Sequence, residues 1–566
     1  MSDSREGGIS RRRFLEMVGI AGGSAAVYET MTALGMINVP GAWAGPPQLA
    51  ADLGRGRSVL VLGAGVGGLA AAYELRRAGF AVRLLEAAPR AGGRNFTVRR
   101  GDRIVEDGSP DQVCGFEPGQ YLNAGPGRLP HHHRAILDYC ERLGVALEIY
   151  VMESRANLFW TSKAFGEAVT NRRIANDTRG HVAELLAKAV ARDALDDDLS
   201  REDRQRLLDL LATFGVLDAA DGYRYKGSSR SGYAVQPGLA PGEPLPPLRL
   251  AELLASRFWE RQFYQPEDYL WQPTLFQPVG GMDAIVHAFT TALGQLGVRV
   301  ETNRPVTRVE RLPDAVRVRY RTPDGEGEAQ ADFCVSNLPL PQLATRIDRA
   351  SFSPGYVAAV AAVPFAPTCK VGWQAERFWE RWPDPARPDV TPGGRSPIYG
   401  GISYIDHPIT QMWYPSSGFL DPKVTRGVLT GAYNYGDTAV AFGNLDLRRR
   451  LEVARDGGER LHPGFGRWID FDEGLSIAWQ KVPFLHGGWA DWQAVDPAHY
   501  RRLLAPDGRF QVVGDQVSQL PGWQEGAVRS AMHAVEQIRR TVAGEETLRL
   551  QVDEAPDTLR MTQGIV

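Results

Sequence analysis

The sequence predicts an α/β protein with a second, mixed-sheet domain and a helical insertion. The main observation is the glycine-rich run at 63–68, which lies between an apolar stretch over 58–62 and a helical pattern that begins at Leu69. A second apolar stretch, over 81–85, ends at Glu86. This order of strand, glycine turn, helix and strand with an acidic end is typical of a Rossmann-like (GxGxxG) unit that binds a dinucleotide.

Each part of this unit has a predicted role. Gly63 suits the tight turn, Gly65 the close approach of the backbone to a pyrophosphate, and Gly68 the packing of helix against sheet. A carboxylate at Glu86 can accept a hydrogen bond from a ribose hydroxyl. The predicted dinucleotide-binding residues of the unit are Gly63, Gly65, Gly67, Gly68, Glu86 and Ala87.

The middle of the chain predicts a mainly helical region over 131–270. Apolar residues at helical spacing follow His133 and stop at Gly144, and the charged stretch 178–214 is helical in pattern. Ser200 and Asp203 have the spacing of a capping box. The segment 235–248 is rich in Pro and Gly and predicts a loop, after which an aromatic helical stretch covers 250–264.

The rest of the chain predicts strands. Short β-branched runs over 298–335 predict a return to the first domain, and 350–500, with runs such as 427–433, predicts a second sheet. A strand over 510–515, a turn and a long helix then complete the first domain. The predicted division is 1–44 as a signal segment, 55–130, 275–350 and 505–545 as the dinucleotide-binding domain, 131–270 as the helical region, and 351–504 as the substrate-binding domain.

Composition excludes several classes of function. The chain of 566 residues carries 64 basic and 67 acidic residues, and no basic run interleaved with aromatic residues suggests nucleic acid. The four cysteines lack CxxC spacing, and three consecutive histidines before the helix at 134 point in different directions, so no metal site is predicted. The expected partner is a small molecule.

The N-terminus predicts an export signal. Residues 10–15 resemble the twin-arginine motif and precede a Gly/Ala-rich run that is too interrupted, at Glu29, for a membrane anchor. Trp43 and Ala44 end a small-x-small cleavage site. We expect a periplasmic or secreted protein, or a cytoplasmic one if this segment is retained.

Three further segments resemble the FAD-dependent amine oxidase superfamily. They are the motif Arg90-Ala91-Gly92-Gly93-Arg94, the Gly-Gly-Met helix start at 280–282, and the stretch 510–528. The resemblance implies FAD as cofactor, and the absence of cysteine from 510–528 implies that it is bound non-covalently. It also implies that Asp515 takes the place of a commoner glutamate. The cofactor-binding residues that it adds are Gly93, Arg94, Gly127, Arg128, Val306, Gly514, Asp515, Gly522, Trp523 and Ala527.

Within this superfamily, residues 121–130 resemble flavin-dependent L-amino acid oxidases. In that family the arginine at the position of Arg128 pairs with the substrate carboxylate, a task that suits a planar fork of donors. By the same resemblance, Tyr433 binds the carboxylate, Lys370 holds a water against the flavin, and Trp523 forms a wall beside it. Gly488 and Trp489 correspond to the pocket for the substrate side chain.

The implied reaction is oxidative deamination of L-amino acids, in which FAD accepts a hydride and O2 reoxidises it. The products are a 2-oxo acid, ammonia and H2O2. A primary amine or polyamine oxidase, an amino acid 2-monooxygenase that yields an amide, and a flavoprotein that binds without turnover are the alternatives. The sequence identifies no catalytic base, although His181 is a remote candidate, and we take a homodimer as the expected assembly.

Overall fold

The computed structural model describes residues 43–192, 199–383, 386–550 and 552–558. The predicted twin-arginine motif lies outside these residues. Trp43 and Ala44 lie inside them, and the indole Nε1 of Trp43 donates a hydrogen bond to Asp138 Oδ2 at 3.0 Å. The ring also packs against the main hydrophobic core. Cleavage after Ala44 stays a prediction, and it would remove this contact.

Strands and helices alternate along the described chain. The strands are β1 (Ser58–Leu62), β2 (Ala81–Leu85), β3 (Thr97–Val98), β4 (Arg103–Ile104), β5 (Gln112–Val113), β6 (Leu122–Asn123), β7 (Leu129–Pro130), β8 (Leu147–Tyr150), β9 (Leu158–Trp160), β10 (Val169–Thr170), β11 (Leu217–Asp218), β12 (Arg224–Tyr225), β13 (Tyr233–Val235), β14 (Glu243–Pro244), β15 (Leu275–Pro278), β16 (Val300–Glu301), β17 (Val306–Arg311), β18 (Val316–Thr322), β19 (Gly325–Ala331), β20 (Phe333–Ser336), β21 (Phe365–Ala366), β22 (Thr368–Glu376), β23 (Ile402–Ile405), β24 (Gln411–Trp413), β25 (Arg426–Tyr435), β26 (Leu475–Ala478), β27 (Trp489–Ala490) and β28 (Phe510–Val512). The α-helices are α1 (Val66–Arg77), α2 (Arg134–Arg142), α3 (Asn171–Val190), α4 (Arg201–Gly215), α5 (Leu250–Ser256), α6 (Ala284–Gln295), α7 (Leu340–Ala344), α8 (Pro354–Ala361), α9 (Gly436–Gly443), α10 (Leu447–Leu461), α11 (Pro497–Leu504) and α12 (Gln524–Ala543).

A five-stranded parallel sheet in the order β16-β2-β1-β20-β28 forms the first layer. Its central strand β1 is apolar on both faces, because alternate side chains enter different cores. Val59 and Val61 pack with α1, α6 and α12, whereas Leu60 and Leu62 pack with the antiparallel strands β17 and β18 and with helices α7, α8 and α11. The predicted strands at 58–62 and 81–85 therefore have their predicted bounds.

A seven-stranded mixed sheet in the order β10-β9-β23-β24-β25-β22-β26 forms the second layer. Most of its strand pairs are antiparallel, and β9 pairs with β23 in parallel. Strands β9 and β10 come from the region that the sequence assigned mainly to helices. Their short apolar runs have no helical period, and they extend the edge of the sheet toward that region.

The helical insertion differs from its predicted pattern in two places. The stretch predicted as helical over 178–214 begins earlier and forms α3 and α4, and Ser200 Oγ caps α4 by accepting a hydrogen bond from Asp203 N at 3.1 Å. The predicted helix over 250–264 ends at Ser256, because Arg257 takes a left-handed φ of 49° and only short 3-10 turns follow. An extended helix cannot pass through such a residue.

The described residues contain no helix long and apolar enough to cross a membrane, and no group of three metal-ligating side chains. All four cysteines are buried and unpaired. Burial raises the pKa of the thiols of Cys140 and Cys369 to about 12. It also raises the pKa of Cys114 and Cys334.

Candidate active site

A cavity of about 760 Å³ takes its walls from both large sheets. Most residues predicted for cofactor or substrate line it. They are Gly63, Gly65, Gly67, Glu86, Ala87, Gly93, Arg94, Gly127, Arg128, Lys370, Tyr433, Gly488, Trp489, Asp515, Gly522, Trp523 and Ala527. The structure thus brings together groups that are up to several hundred residues apart in the sequence.

The glycine turn opens into the cavity at the start of α1, whose N-cap is Gly65. Gly65 and Gly67 both line the cavity, so their backbone is accessible to a ligand. Gly68 does not line it. A Cβ at Gly68 would overlap the carbonyl oxygen of Gly63, which is the tight helix–strand packing that the motif predicts.

The carboxylate of Glu86 is fixed at the end of β2. Its Oε2 accepts a hydrogen bond from Ala64 N at 2.7 Å, and its Oε1 accepts one from Ala88 N at 2.8 Å. Each carboxylate oxygen can accept a second hydrogen bond, so both remain able to receive a hydroxyl. Burial raises the pKa of this carboxyl, and the two backbone donors oppose that rise.

Arg94 and Asp515 form an ion pair inside the cavity. One guanidinium nitrogen of Arg94 donates to Asp515 Oδ2 at 2.9 Å, and the other nitrogen donates to Oδ1. Arg94 also donates to the carbonyl oxygen of Gly488 at 2.5 Å, and Asp515 Oδ2 accepts from Gly522 N at 2.8 Å. The structure therefore places Arg94 beside the predicted ribityl ligand Asp515, and its predicted contact with phosphates stays a prediction.

Two other predicted cofactor residues lie away from the cavity wall. The carbonyl oxygen of Val306 accepts a hydrogen bond from Arg346 Nε at 2.9 Å within the domain. Gly514 has a φ of 113°, and its N–H donates to Ser530 Oγ at 2.8 Å. Gly514 supports the turn that carries Asp515, whereas the predicted adenine contact of Val306 stays a prediction.

The register of the seven-stranded sheet brings Lys370 and Tyr433 together. Lys370 on β22 pairs directly with Tyr433 on β25. A change of register follows further along β22, between Val371 and Gly372. Cross-strand partners place their side chains on the same face of a sheet. The Nζ of Lys370 lies 4.6 Å from the centroid of the Tyr433 ring. Both predicted catalytic side chains therefore face the cavity from one rigid surface.

Lys370 is buried, and no carboxylate among the described residues pairs with it. It is 1% exposed, and its Nζ donates to the carbonyl oxygens of Asn123 at 3.1 Å and Gly125 at 2.6 Å. Burial, with a smaller contribution from the nearby charge of Arg128, lowers the pKa of Lys370 to about 7 from 10.5. Near neutral pH this side chain can therefore be a neutral amine, able to accept a proton.

The burial of Lys370 predicts a pH-dependent gain in stability for Lys370→Met. Because the unfolded chain binds a proton on this lysine up to pH 10.5 and the folded chain only up to about 7, wild-type stability rises with pH across that window. Methionine does not titrate, so the free-energy cost of deprotonating a lysine in order to bury it is absent from the variant. Its free energy of unfolding, relative to wild type, should therefore fall by roughly 1.4 kcal/mol per pH unit between 7 and 10.

Urea unfolding of the FAD-free protein at several pH values measures this difference. Lys423→Met is the control, because the ammonium of Lys423 is exposed and stays in water in both states. A difference for Lys370→Met that is constant with pH would contradict the prediction.

Arg128 presents buried donors to the cavity. It precedes β7, which pairs with β15, and its Nε and Nη1 have no hydrogen-bond partner among the described residues. The guanidinium carbon lies 5.0 Å from the centroid of the Trp413 ring and 5.8 Å from that of Tyr150. A buried cation without an anionic partner is costly, so this arrangement suits an anion brought by a ligand.

Trp413 is the main residue of this site that sequence reasoning missed. The ring of Trp413 contacts both basic side chains, because its centroid lies 4.7 Å from Lys370 Nζ and 5.0 Å from the guanidinium carbon of Arg128. The indole Nε1 of Trp413 donates a hydrogen bond to Gln411 Oε1 at 2.7 Å. Gly127 makes room for it, because a Cβ there would lie 2.9 Å from the indole. No motif in the sequence marks Trp413, which reaches the site only through the pairing of β24 with β25. The other missed residues include Asn337, Gln265, Trp271 and Tyr435.

Trp523 and Trp489 form aromatic walls. Trp523 is the N-cap of α12 and is packed edge-on against His133 at 4.9 Å and Trp271 at 5.7 Å. Trp489 lies 5.8 Å from Tyr435, between ring centroids. The indole N–H groups of Trp523 and Trp489 are buried without a partner in the described protein. His181 contacts Tyr225 and the carbonyl oxygen of Leu248 and does not line the cavity.

The cavity combines a dinucleotide cradle at the glycine turn with the buried basic groups of Arg128 and Lys370, which suits an enzyme that binds a dinucleotide cofactor. A profile of the family described as flavin containing amine oxidoreductase matches residues 66–539, and the chain belongs to this family. Its cofactor is FAD. The open glycine turn and the free lone pairs of Glu86 fit this cofactor. The amine oxidase superfamily, the fold class and the FAD cofactor predicted from the sequence are therefore confirmed.

The relatives include oxidases of both amino acids and amines. The flavin-dependent L-tryptophan oxidase RebO of Lentzea aerocolonigenes is 26% identical over 503 residues, which cover 85% of this chain and 98% of RebO. The L-amino-acid oxidase of Protobothrops flavoviridis is 23% identical, with 86% of this chain and 89% of that protein covered. Among solved structures, cyclohexylamine oxidase from Brevibacterium oxydans IH-35A has a TM-score of 0.55 at 16% identity, covering 86% and 99%, and putrescine oxidase has 0.52 at 19% identity, covering 85% and 98%.

Proposed function

We propose that this protein oxidatively deaminates L-amino acids to 2-oxo acids, ammonia and H2O2. The observation that carries the proposal is Arg128, a guanidinium in the cavity whose Nε and Nη1 are buried and unpartnered in the described protein. An amino acid brings a carboxylate that can accept hydrogen bonds from this guanidinium, and a simple amine brings none. The L-amino-acid oxidases among the relatives support the same substrate class.

The side chains at this end of the cavity suggest how a substrate is held. Arg128 binds the carboxylate, and the hydroxyl of Tyr433, whose pKa burial raises to about 12, stays protonated and donates to the same group. Trp523 and Trp489 enclose the amino group and the side chain. The aromatic lining favours a large, flat side chain on the substrate.

Bound FAD supplies the acceptor for the hydride that leaves the substrate Cα, and O2 then reoxidises it. Lys370 stands where a buried, partly neutral amine can hold a water and take up a proton. We assign the cofactor to the glycine turn, Glu86, Arg94, Asp515 and the start of α12, which line one continuous wall.

The surroundings of the two cations argue against a diamine or polyamine substrate. Aromatic rings of Trp413, Tyr433 and Tyr150 lie over Arg128 and Lys370, and no ion pair to Arg128 or Lys370 occurs in the described residues. A substrate with a second ammonium group would be repelled by Arg128, and also by Lys370 in its protonated form.

A substrate panel tests the proposal. The FAD-loaded protein is assayed for H2O2 with the twenty L-amino acids, their D forms and their decarboxylated amines, and 2-oxo acid, amide and CO2 are measured alongside. We expect turnover of L-amino acids, with the best rates for aromatic ones and a 2-oxo acid as product. Turnover of amines alone would move the protein to the amine oxidases, and an amide with CO2 would identify a monooxygenase.

The tight fit of Gly127 against Trp413 predicts an effect on substrate binding. In Gly127→Ala the new Cβ would lie 2.9 Å from the indole, so Trp413 must shift beneath Arg128. Overpacking of this kind costs about 1–3 kcal/mol of stability. We expect a loss of the same size in substrate binding, which raises KM roughly 5- to 150-fold while FAD stays bound. Gly355→Ala is the control, because a Cβ there meets nothing within 4 Å. Unchanged KM in Gly127→Ala would contradict the prediction.

Export by the twin-arginine route and assembly as a homodimer are also proposals, both from the sequence. Cell fractionation of the full-length protein, compared with a variant in which Arg11 and Arg12 are changed to Lys, tests export. Sedimentation of the purified holoenzyme tests the assembly.

A further inference from the structure

The cradle at the start of α1 contains a side-chain amide that the cofactor motifs do not include. Asn337 follows β20, and its backbone N–H donates to the carbonyl oxygen of Leu62 at 2.7 Å. This bond fixes Asn337 at the carboxyl end of the parallel sheet, beside the glycine turn. In open α/β sheets, ligands bind at this end of the strands.

Three glycines from two segments surround the amide of Asn337. A Cβ at Gly65 would overlap its Nδ2, one at Gly67 would lie 3.2 Å from its Oδ1, and one at Gly514 would lie 2.7 Å from the same oxygen. These positions leave no room for a side chain because the amide fills the space between them. The glycine turn is therefore shaped around Asn337 as well as around the cofactor.

The side-chain amide of Asn337 is unpaired in the part of the chain that the structure describes. Asn337 lines the cavity, and no described residue forms a hydrogen bond with its side chain. The neighbouring amide of Gln516 shows the contrast, since its Nε2 donates to the carbonyl oxygens of Leu338 and Val513, each at 2.9 Å. An unpartnered amide at the wall of a cofactor cavity is available to the cofactor.

The arginines near the cradle are engaged elsewhere. Arg94 is paired with Asp515, and Arg90 donates to the carbonyl oxygen of Gly93 at 2.8 Å and stacks 3.8 Å above the Phe96 ring. Backbone N–H groups and the dipole of α1 attract the pyrophosphate to the helix start. Of these side chains, Asn337 is therefore the one whose donor is available to a ligand at this turn.

We propose that Asn337 donates a hydrogen bond from its side-chain amide to the pyrophosphate of FAD, and that it is a determinant of FAD affinity in this protein. The inference rests on the FAD cofactor and is independent of which substrate is oxidised. Asn337→Asp keeps the size of the side chain but replaces the donor with a negative charge, which repels a phosphate.

The test measures the Kd of FAD from flavin fluorescence on dilution of the holoenzyme, the concentration of ADP that displaces FAD, and the melting temperature of the FAD-free chain. Asn337→Asp should weaken FAD roughly 10- to 100-fold and ADP by the same factor, with the melting temperature unchanged. Asn337→Ala should weaken both ligands less. Asn444→Asp, an exposed site of the same change in charge, should bind both as wild type does.

Two results would overturn the proposal. FAD bound as tightly by Asn337→Asp as by wild type would make the amide a space filler between the glycines. Weakened FAD with unchanged ADP would place its contact away from the pyrophosphate. If the melting temperature of Asn337→Asp is lower than that of wild type, the binding data for Asn337→Ala are used instead. Weaker binding of FAD and ADP by folded Asn337→Ala supports the proposal, and unchanged binding refutes it.

Discussion

Replacement of Arg128 by Met is expected to lower kcat/KM for L-amino acids by roughly 30- to 5,000-fold, because truncating one partner of a buried charge pair costs about 2–5 kcal/mol. The guanidinium packs against the rings of Trp413 and Tyr150, and the nearby Lys370 presents a single amine in place of a planar fork of donors. Its removal also relieves the like charge that faces Lys370. Steady-state H2O2 release with each amino acid measures the loss.

Two further variants separate charge from geometry at this position. Arg128→Lys keeps the charge but presents a single ammonium in place of a planar fork, so it should recover only part of the activity. Arg103→Met removes an exposed arginine at the cavity mouth and should leave kcat/KM near wild type. Amino acid turnover by Arg128→Met within threefold of wild type would make Arg128 a structural residue.

Gly68→Ala is expected to destabilise the FAD-binding domain by about 3 kcal/mol or more. The added Cβ would overlap the carbonyl oxygen of Gly63, which is backbone and cannot move aside as a flexible side chain would. Helix α1 must then lift away from β1, and the cradle opens. Urea unfolding and the yield of FAD-loaded protein report the two consequences.

A second helical glycine provides the matched control. Gly294 lies in the last turn of α6, and a Cβ there meets nothing within 4 Å. Gly294→Ala should therefore stabilise the protein by up to about 1 kcal/mol, since alanine is the better helix former. If both variants change stability by the same amount, the close packing at Gly68 is not what constrains that position.

The sequence predicted the parts of this site that depend on local order. The βαβ unit has its predicted strand bounds because glycine turns and buried parallel strands are specified by neighbouring residues. Gly65, Gly67 and Glu86 therefore come to line one cavity, and their contacts with the cofactor stay predictions. The ends of helices were harder to predict. Arg257, for example, ends α5 because its backbone is left-handed, and this position has neither the proline nor the glycine that would signal an end in the sequence.

Partners that are distant in the chain could not be predicted in the same way. Arg94 and Asp515 were each assigned to the cofactor, but their ion pair joins residues 421 positions apart. Trp413 meets Lys370 and Tyr433 only because three strands pair in one register. Such pairings depend on the topology of the sheet, which one sequence does not encode in any short motif.

The buried cysteines bear on how long such an enzyme survives its own product. Peroxide attacks the thiolate form of cysteine, and burial holds the pKa of all four thiols above the ordinary range. None of them lines the cavity in which the proposed reaction would release H2O2. H2O2 produced at each turnover would therefore first contact a cavity lining that contains no cysteine. We expect that thiol oxidation does not limit the working lifetime of the protein.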